Sequence, residues 1–112
     1  MAYRKEKISH LIRDEAGKIV HENLDMDNDA VVTVMRAIVS DDLNHVRIYI
    51  SVFPSQLAGE VLAQINKQIY FLQQILNKKL KIHPVPKMFF VIDQTEERAA
   101  EVEKVIEKVK KE

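Results

Sequence analysis

The chain has 112 residues, of which 46% are apolar and 30% are charged. This length and composition are typical of one globular domain with a modest hydrophobic core, which we place at residues 1–112. The absence of cysteine excludes thiolate zinc sites, iron–sulfur clusters and disulfides, and it favours a reducing compartment such as the cytoplasm. No apolar run reaches the roughly 18–20 residues that a membrane helix needs, so we expect no membrane partner.

Basic and acidic side chains are balanced overall but unevenly distributed along the chain. There are 17 of each, so the formal net charge is zero. Residues 21–45 carry one basic and six acidic side chains, whereas residues 46–92 carry six basic and one acidic. A neutral total disfavours nucleic-acid binding, but a dipolar protein can still present a basic face.

The first half of the sequence predicts a helix followed by a hairpin. Apolar residues recur every three or four positions over residues 3–23, which is typical of an amphipathic helix. Residues 31–39 are rich in β-branched side chains and predict a strand. Residues 45–53 alternate strictly, which predicts a strand with one buried face. The turn between these strands is short, so we expect them to pair antiparallel.

The second half predicts a long helix, a short strand and a last helix. The long helix follows Pro54, and its apolar stripe runs from Leu57 to Leu80 over roughly 25 residues, about twice the average length. A helix this long on so small a body must overhang, bend or break. Residues 88–92 predict a strand, and an amphipathic helix begins at Thr95. The order α-β-β-α-β-α predicts an α+β fold with a three-stranded sheet and helices packed on one face.

The sequence contains no pattern that specifies a catalytic or metal site. Asp25, Asp27 and Asp29 have the spacing of the first three calcium ligands of an EF-hand loop. Ala30 stands where that loop needs glycine, and Arg36 stands where it needs a bidentate glutamate. The four histidines are scattered, and no serine lies in a glycine-flanked nucleophile motif. We therefore predict a protein that is not an enzyme and that needs no cofactor or metal.

The basic side chains indicate a function more clearly than the acidic ones do. Those at the start of the first helix are unfavourable for the helix dipole, so they do not serve to stabilise the helix. Contact with phosphate is a function that would explain their position. Other basic side chains lie along the long helix and just after it. The alternative interpretation of these residues is that they form a solvated surface and bind no phosphate. The residues that we expect to contact phosphate are Arg4, Lys5, Lys7, Arg13, Lys67, Lys78, Lys79 and Lys81, with Arg36 and Arg47 on the hairpin as second candidates.

Four segments of the chain carry motifs of one known family. Residues 40–45 contain a Ser-x-Asp-Leu-x-His turn that leads into the alternating strand. Residues 86–93 read Pro-Lys-Met-Phe-Phe-Val-Ile-Asp and match a last strand, while residues 95–98 match the acid–Arg start of a final helix. The first helix, with basic residues at its head, also fits. Over nearly its whole length, the chain resembles the ribosome-binding factor A family.

This resemblance implies a type II KH-like fold and a single ribosome-binding domain. It also implies binding to the small ribosomal subunit and its rRNA late in biogenesis, with roles in 16S rRNA processing and cold adaptation and without catalysis. Ribosomal proteins and other assembly factors are further expected partners, and we expect a monomer. The family has an Ala-x-Gly kink in the long helix, whereas this chain has Gln68, Ile69 and Tyr70 there. The sequence therefore leaves open whether the helix bends at this point.

A protein–protein adaptor is the alternative hypothesis. The acidic loop at residues 25–29 and the Glu-rich last helix would then dock a basic protein through complementary charge. The two hypotheses differ in whether the chain follows RNA or a protein partner.

Overall fold

The computed structural model describes residues 2–94, in which three strands form one sheet that is covered by helices. The elements in chain order are α1 (Ala2–Asn23), β1 (Val31–Val39), β2 (His45–Phe53), a 3₁₀ turn (Ser55–Leu57), α2 (Ala58–Lys67), α3 (Ile69–Lys79) and β3 (Lys87–Ile92). The predicted α+β class and three-stranded sheet are confirmed. The predicted helix that begins at Thr95 lies outside the described residues.

β2 is the central strand of the sheet. It pairs antiparallel with β1, as predicted, and Val31 lies opposite Phe53. It pairs parallel with β3, and His45 lies opposite Lys87. The parallel pair follows from the connection between β2 and β3, in which α2 and α3 cross over the sheet.

The core lies between the helices and one face of the sheet. The aliphatic residues of β2 are buried at every second position, whereas Arg47 between them is exposed. The helices therefore pack on one face, as predicted. The fully buried side chains from both layers include Ile12, Ile19, Val46, Ile48, Ile50, Val61, Ile65, Leu72 and Leu76. Each of these side chains stabilises the fold by roughly 1.5–3 kcal/mol relative to exposure.

The predicted long helix is two helices, which are separated at Gln68. α2 ends at Lys67 and α3 begins at Ile69, because Gln68 has φ −104° and ψ 7° and so leaves the helical conformation. The break lets both helices reach the core, and the residues that they bury are Val61, Ile65, Leu72 and Leu76. Breaking, rather than overhanging, is how this chain accommodates the long apolar stripe. Within residues 2–94, no helix has the length and hydropathy that a bilayer crossing requires.

The side-chain amide of Gln73 joins α3 to β3, which is an edge strand of the sheet. Its Oε1 accepts a hydrogen bond from the Met88 N–H at 2.8 Å, and its Nε2 donates to the Pro86 carbonyl oxygen at 3.2 Å. Nε2 also donates to Asn77 Oδ1 at 3.0 Å. The oxygen and both amide protons of this half-buried side chain are therefore paired.

Replacing Gln73 with alanine is expected to lower the free energy of unfolding by about 1–3 kcal/mol, because the Met88 N–H and the Pro86 carbonyl lose their partner. Urea unfolding followed by circular dichroism measures this change. Gln74→Ala is the matched control, since Gln74 is exposed on the same helix and its loss should cost less than about 0.5 kcal/mol. Equal effects of the two substitutions would contradict the assigned role of Gln73.

Candidate nucleic-acid interface

The turn between β1 and β2 is a hydrogen-bonded unit built from the Ser-x-Asp-Leu-x-His motif. The Ser40 hydroxyl donates to Asp42 Oδ1 at 2.6 Å and accepts from the His45 N–H at 3.1 Å. The same Asp42 oxygen accepts from the Asn44 N–H at 3.0 Å. Leu43 has a φ of 63°, a left-handed conformation that is uncommon for leucine and persists only where its surroundings hold it. The motif therefore shapes this turn.

This turn also connects to β3 and to α1. The Asn44 carbonyl oxygen accepts from the Lys87 N–H at 2.9 Å, at the point where the parallel strand pair begins. Lys5 Nζ on α1 donates to Asp41 Oδ1 at 2.7 Å. That hydrogen bond, together with the charge of Lys5, lowers the pKa of Asp41. The first turn of α1 therefore lies beside the end of the sheet that carries the motif.

The structure separates the predicted phosphate-binding residues into two groups. We call the first group, which consists of Lys5, Arg13, Arg36 and Arg47, the basic surface. The second group, the helical lysines, consists of Lys67, Lys78, Lys79 and Lys81. Arg4 and Lys7 are exposed on α1 but line neither of the two grooves described below.

A groove of about 360 Å³ lies between α1 and β1. Three predicted cations, Lys5, Arg13 and Arg36, line it together with the carboxylate of Glu6. Arg13 Nη2 lies 3.1 Å from Asp14 Oδ1, and a solvated ion pair of this kind holds an arginine only weakly. The groove lining therefore carries three cations and one carboxylate, and the ion pairs of Lys5 with Asp41 and of Arg13 with Asp14 are solvent-exposed.

A second groove, of about 610 Å³, continues from the first onto the sheet. Lys5 lines both grooves, and Arg47 lies in the second beside the rings of His45 and Phe89. The centroids of these two rings are 5.5 Å apart. Asp41 lies at the rim, where Lys5 pairs with it. Cations and aromatic rings therefore share one continuous surface.

A β-bulge at Met35 places Arg36 on the open face of the sheet, which is the face that α1, α2 and α3 leave uncovered. The pairing register shifts between Val34 and Arg36, so that the next buried residue of β1 is Ala37. Strict alternation would have turned Arg36 toward the helices. Instead its guanidinium lies 4.3 Å from the centre of the Tyr49 ring. The extra residue in β1 thus brings an arginine onto the same face as Arg47.

Lys67, Lys78 and Lys79 lie on α2 and α3, in the other layer of the fold, and Lys81 follows the end of α3. Lys78 and Lys79 occupy the last turn of α3, where the helix dipole favours cations. Lys79 Nζ is 3.9 Å from Glu15 Oε2 on α1, so this lysine bridges two helices. All four helical lysines are exposed. Their contact with phosphate stays a prediction, as does that of the basic surface.

The side chain of Gln68 fixes the break between α2 and α3. Its Oε1 accepts from the Asp25 N–H at 2.9 Å, and its Nε2 donates to the Asp25 carbonyl oxygen at 2.7 Å. This two-point contact ties the loop after α1 to the break. The long helix is therefore interrupted at Gln68 without the small residues of the Ala-x-Gly pattern.

Sequence reasoning missed the contributions of Phe89 and Gln68. Phe89 is 48% exposed, whereas Met88 and Phe90 on either side of it are buried. Period-two alternation along β3 was a signal that could have identified it. Gln68 had no such signal, because its partner is the backbone of Asp25 and the contact exists only in the folded chain.

The architecture matches solved structures of one fold class. The crystal structure of ribosome-binding factor A from Thermus thermophilus aligns with a TM-score of 0.69 and 15% identity, covering 79% of this chain and 94% of that chain. A Thermus thermophilus ribosome-binding factor A model, fitted into a cryo-EM map of a 30S complex, aligns with a TM-score of 0.64 and 15% identity. That alignment covers 76% of this chain and 90% of the other. The protein has a type II KH-like α+β fold, as predicted.

The sequence comparison identifies the family within this fold class. The family model described as Ribosome-binding factor A matches residues 4–106. Ribosome-binding factor A of Chlorobium limicola is 30% identical over 99% of this chain and 95% of its own length. The chain belongs to the ribosome-binding factor A family, and the predicted resemblance is confirmed.

Replacing Gln68 with alanine is expected to speed hydrogen exchange of the Asp25 amide by about 5- to 30-fold, because its acceptor is lost and roughly 1–2 kcal/mol of local stability goes with it. Hydrogen–deuterium exchange followed by NMR measures this rate. The Ala30 amide, which donates to Asn28 Oδ1, is an internal control that should change little. Unchanged protection at Asp25 would show that Gln68 does not hold the break.

Acidification is expected to remove the contribution of Asp42 to stability. The pKa of Asp42 is lowered by the Ser40 hydroxyl bond first and the Asn44 N–H bond second. Because the folded pKa lies below the unfolded one, the carboxylate stabilises the fold fully above the ordinary carboxyl pKa of about 4. That stabilisation is lost as the pH falls through the lowered folded value. The Tm difference between the unmodified protein and Asp42→Asn should therefore shrink on acidification.

Ser40→Ala tests the cause of this pH dependence. Since the hydroxyl contributes most to the lowered pKa, the pH-dependent part of the Tm difference should be smaller when Asp42→Asn is made in the Ser40→Ala background. Thermal melts from about pH 7 to about pH 2 on all four proteins complete the cycle. A Tm difference that is independent of pH, or identical in both backgrounds, contradicts the assignment.

Proposed function

We propose that the protein binds the small ribosomal subunit through its rRNA and acts as a non-catalytic assembly factor. The observation that carries this proposal is the family match over residues 4–106. A Thermus thermophilus member of the family has been fitted into a map of a 30S complex, which supports the same partner for this chain. Its finer roles are late maturation in the cytoplasm, 16S rRNA processing and cold adaptation. The protein binds the subunit as a monomer, and residues 1–112 form one domain.

The basic surface supplies the electrostatic part of this binding. Lys5, Arg13 and Arg36 converge on one groove, and Arg47 extends the positive charge onto the sheet. Each phosphate that they neutralise releases condensed counterions, which is the main source of affinity in most such complexes.

A net charge of zero is compatible with this mechanism because the acidic loop at residues 25–29 lies far from the basic surface, although Asp14 and Asp41 pair with Arg13 and Lys5 there. Lys5 lies near the start of α1, whereas Asp25 follows the end of that helix, roughly 30 Å away at 1.5 Å per residue. This separation exceeds the Debye length of about 8 Å at physiological salt. The acidic loop therefore leaves the field at the basic surface largely intact.

Replacing Lys5, Arg13 and Arg36 together with glutamine is expected to weaken binding to immature small subunits by roughly ten-fold or more, because several phosphate contacts are lost. Quantitative co-sedimentation on sucrose gradients measures the affinity. Lys18→Gln is the control, since Lys18 is exposed on α1 and lines neither groove. The affinity of the Lys18→Gln variant should stay within about two-fold of the affinity of the unmodified protein.

The helical lysines are tested by the corresponding triple substitution at Lys78, Lys79 and Lys81. Weaker binding would support a second phosphate contact, and unchanged binding would remove that face from the interface. Unchanged binding of both triple variants would overturn the RNA-binding proposal. Co-sedimentation that survives RNase but disappears with one protein partner would instead favour the adaptor alternative.

A further inference from the structure

The strands of the open face carry cations and aromatic rings but no carboxylate, and Asp41, at the rim of the second groove, is paired with Lys5. β1, β2 and β3 contain no Asp or Glu at any position, on either face. The residues that register and burial place on the open face include Arg36, Ile38, His45, Arg47, Tyr49, Lys87, Phe89 and Val91. A surface with this composition complements a polyanion that also has apolar planar groups.

Phe89 is an exposed aromatic ring on this face. It lies opposite Arg47 in the parallel register and is 48% exposed. The His45 ring supports it from one side, at a centroid distance of 5.5 Å and an interplanar angle of 46°. In the part of the chain that the structure describes, the remaining surface of the phenyl ring is accessible to a planar ligand.

A second platform lies diagonally across the face from Phe89. The Arg36 guanidinium is held over the Tyr49 ring at 4.3 Å, and a guanidinium plane stacks on a nucleobase as an aromatic ring does. Tyr49 is two residues along β2 from Arg47, which is the partner of Phe89. Strand geometry therefore places the Cα atoms of Phe89 and Tyr49 roughly 8 Å apart, with Arg47 beside both.

We propose that this face binds unpaired nucleotides of the small-subunit RNA. Bases stack on Phe89 and on the Arg36–Tyr49 pair, while Arg47 and Lys87 contact the phosphates. The inference rests on the proposed function and deepens it by naming the form of RNA and the residues that recognise it. Single-stranded RNA fits better than a duplex, because only unpaired bases expose their faces for stacking.

Site-specific photo-crosslinking identifies what covers this face. The full chain, with p-benzoylphenylalanine at position 89, is bound to immature small subunits and irradiated. We expect a crosslink to rRNA, at nucleotides that chemical probing of the subunit without the factor shows to be unpaired. The same photo-reactive residue at position 71, on α3, is the control and should give no crosslink to those nucleotides.

Affinity provides a second measurement that does not depend on crosslinking. Phe89→Ala should weaken co-sedimentation with immature subunits by at least about five-fold, which is the loss expected for one stacked base. Phe71→Ala is the matched control, since Phe71 is 52% exposed on α3, and it should change the affinity by less than about two-fold. Circular dichroism melts establish that both variants fold.

The possible outcomes separate this inference from the proposed function. If the unmodified chain does not bind small subunits, the proposed function fails and the inference fails with it. If it binds but position 89 crosslinks to a ribosomal protein, to paired nucleotides or to residues 95–112 of its own chain, the inference is overturned and the proposed function stands. Unchanged affinity of Phe89→Ala also overturns the inference. An rRNA crosslink at unpaired nucleotides together with weakened binding supports it.

Discussion

Burial of every second side chain of β2 determines which residues of the sheet face the helices and which face solvent. Val46, Ile48 and Ile50 are fully buried beneath the helices. Because side chains alternate along a strand, this burial turns Arg47 and Tyr49 to the opposite face. A slip of one residue in register would bury the Arg47 guanidinium, at a large cost in free energy. The interactions that stabilise the core therefore also orient the candidate binding face.

Hydrogen bonds between polar side chains and the backbone determine the local structure at three points of this fold: the helix break, the edge of the sheet and the hairpin turn. Gln68 and Gln73 each use both ends of an amide to bridge two segments, one at the helix break and one at the edge of the sheet. Within the hairpin turn, Ser40 and Asp42 bond to each other and accept hydrogen bonds from the backbone N–H groups of His45 and Asn44. A glutamine can fix a helix break as a glycine pattern does, because its two hydrogen bonds offset the loss of regular helical geometry. The same KH-like fold is thus reached with different local chemistry.

The elements with a strong periodic pattern could be predicted from the sequence, and those fixed by tertiary contacts could not. β2 alternates strictly, so its bounds and its buried face followed directly from the pattern. In β1 nearly every residue is apolar, so the bulge at Met35 left no local signal. The break at Gln68 depends on the backbone of Asp25, which is far away in sequence. Sequence identified the cations of the candidate site, but only the packing of α1 on β1 shows that Lys5, Arg13 and Arg36 share a groove.

In the proposed function, lysines and arginines of this small scaffold neutralise rRNA phosphates. The most direct test is the affinity of the unmodified chain for immature small subunits as a function of salt concentration. If the four cations of the basic surface each contact a phosphate, the logarithm of the association constant should fall linearly with the logarithm of salt concentration, with a slope of about −3 or steeper. Tight binding that does not change with salt would contradict the account.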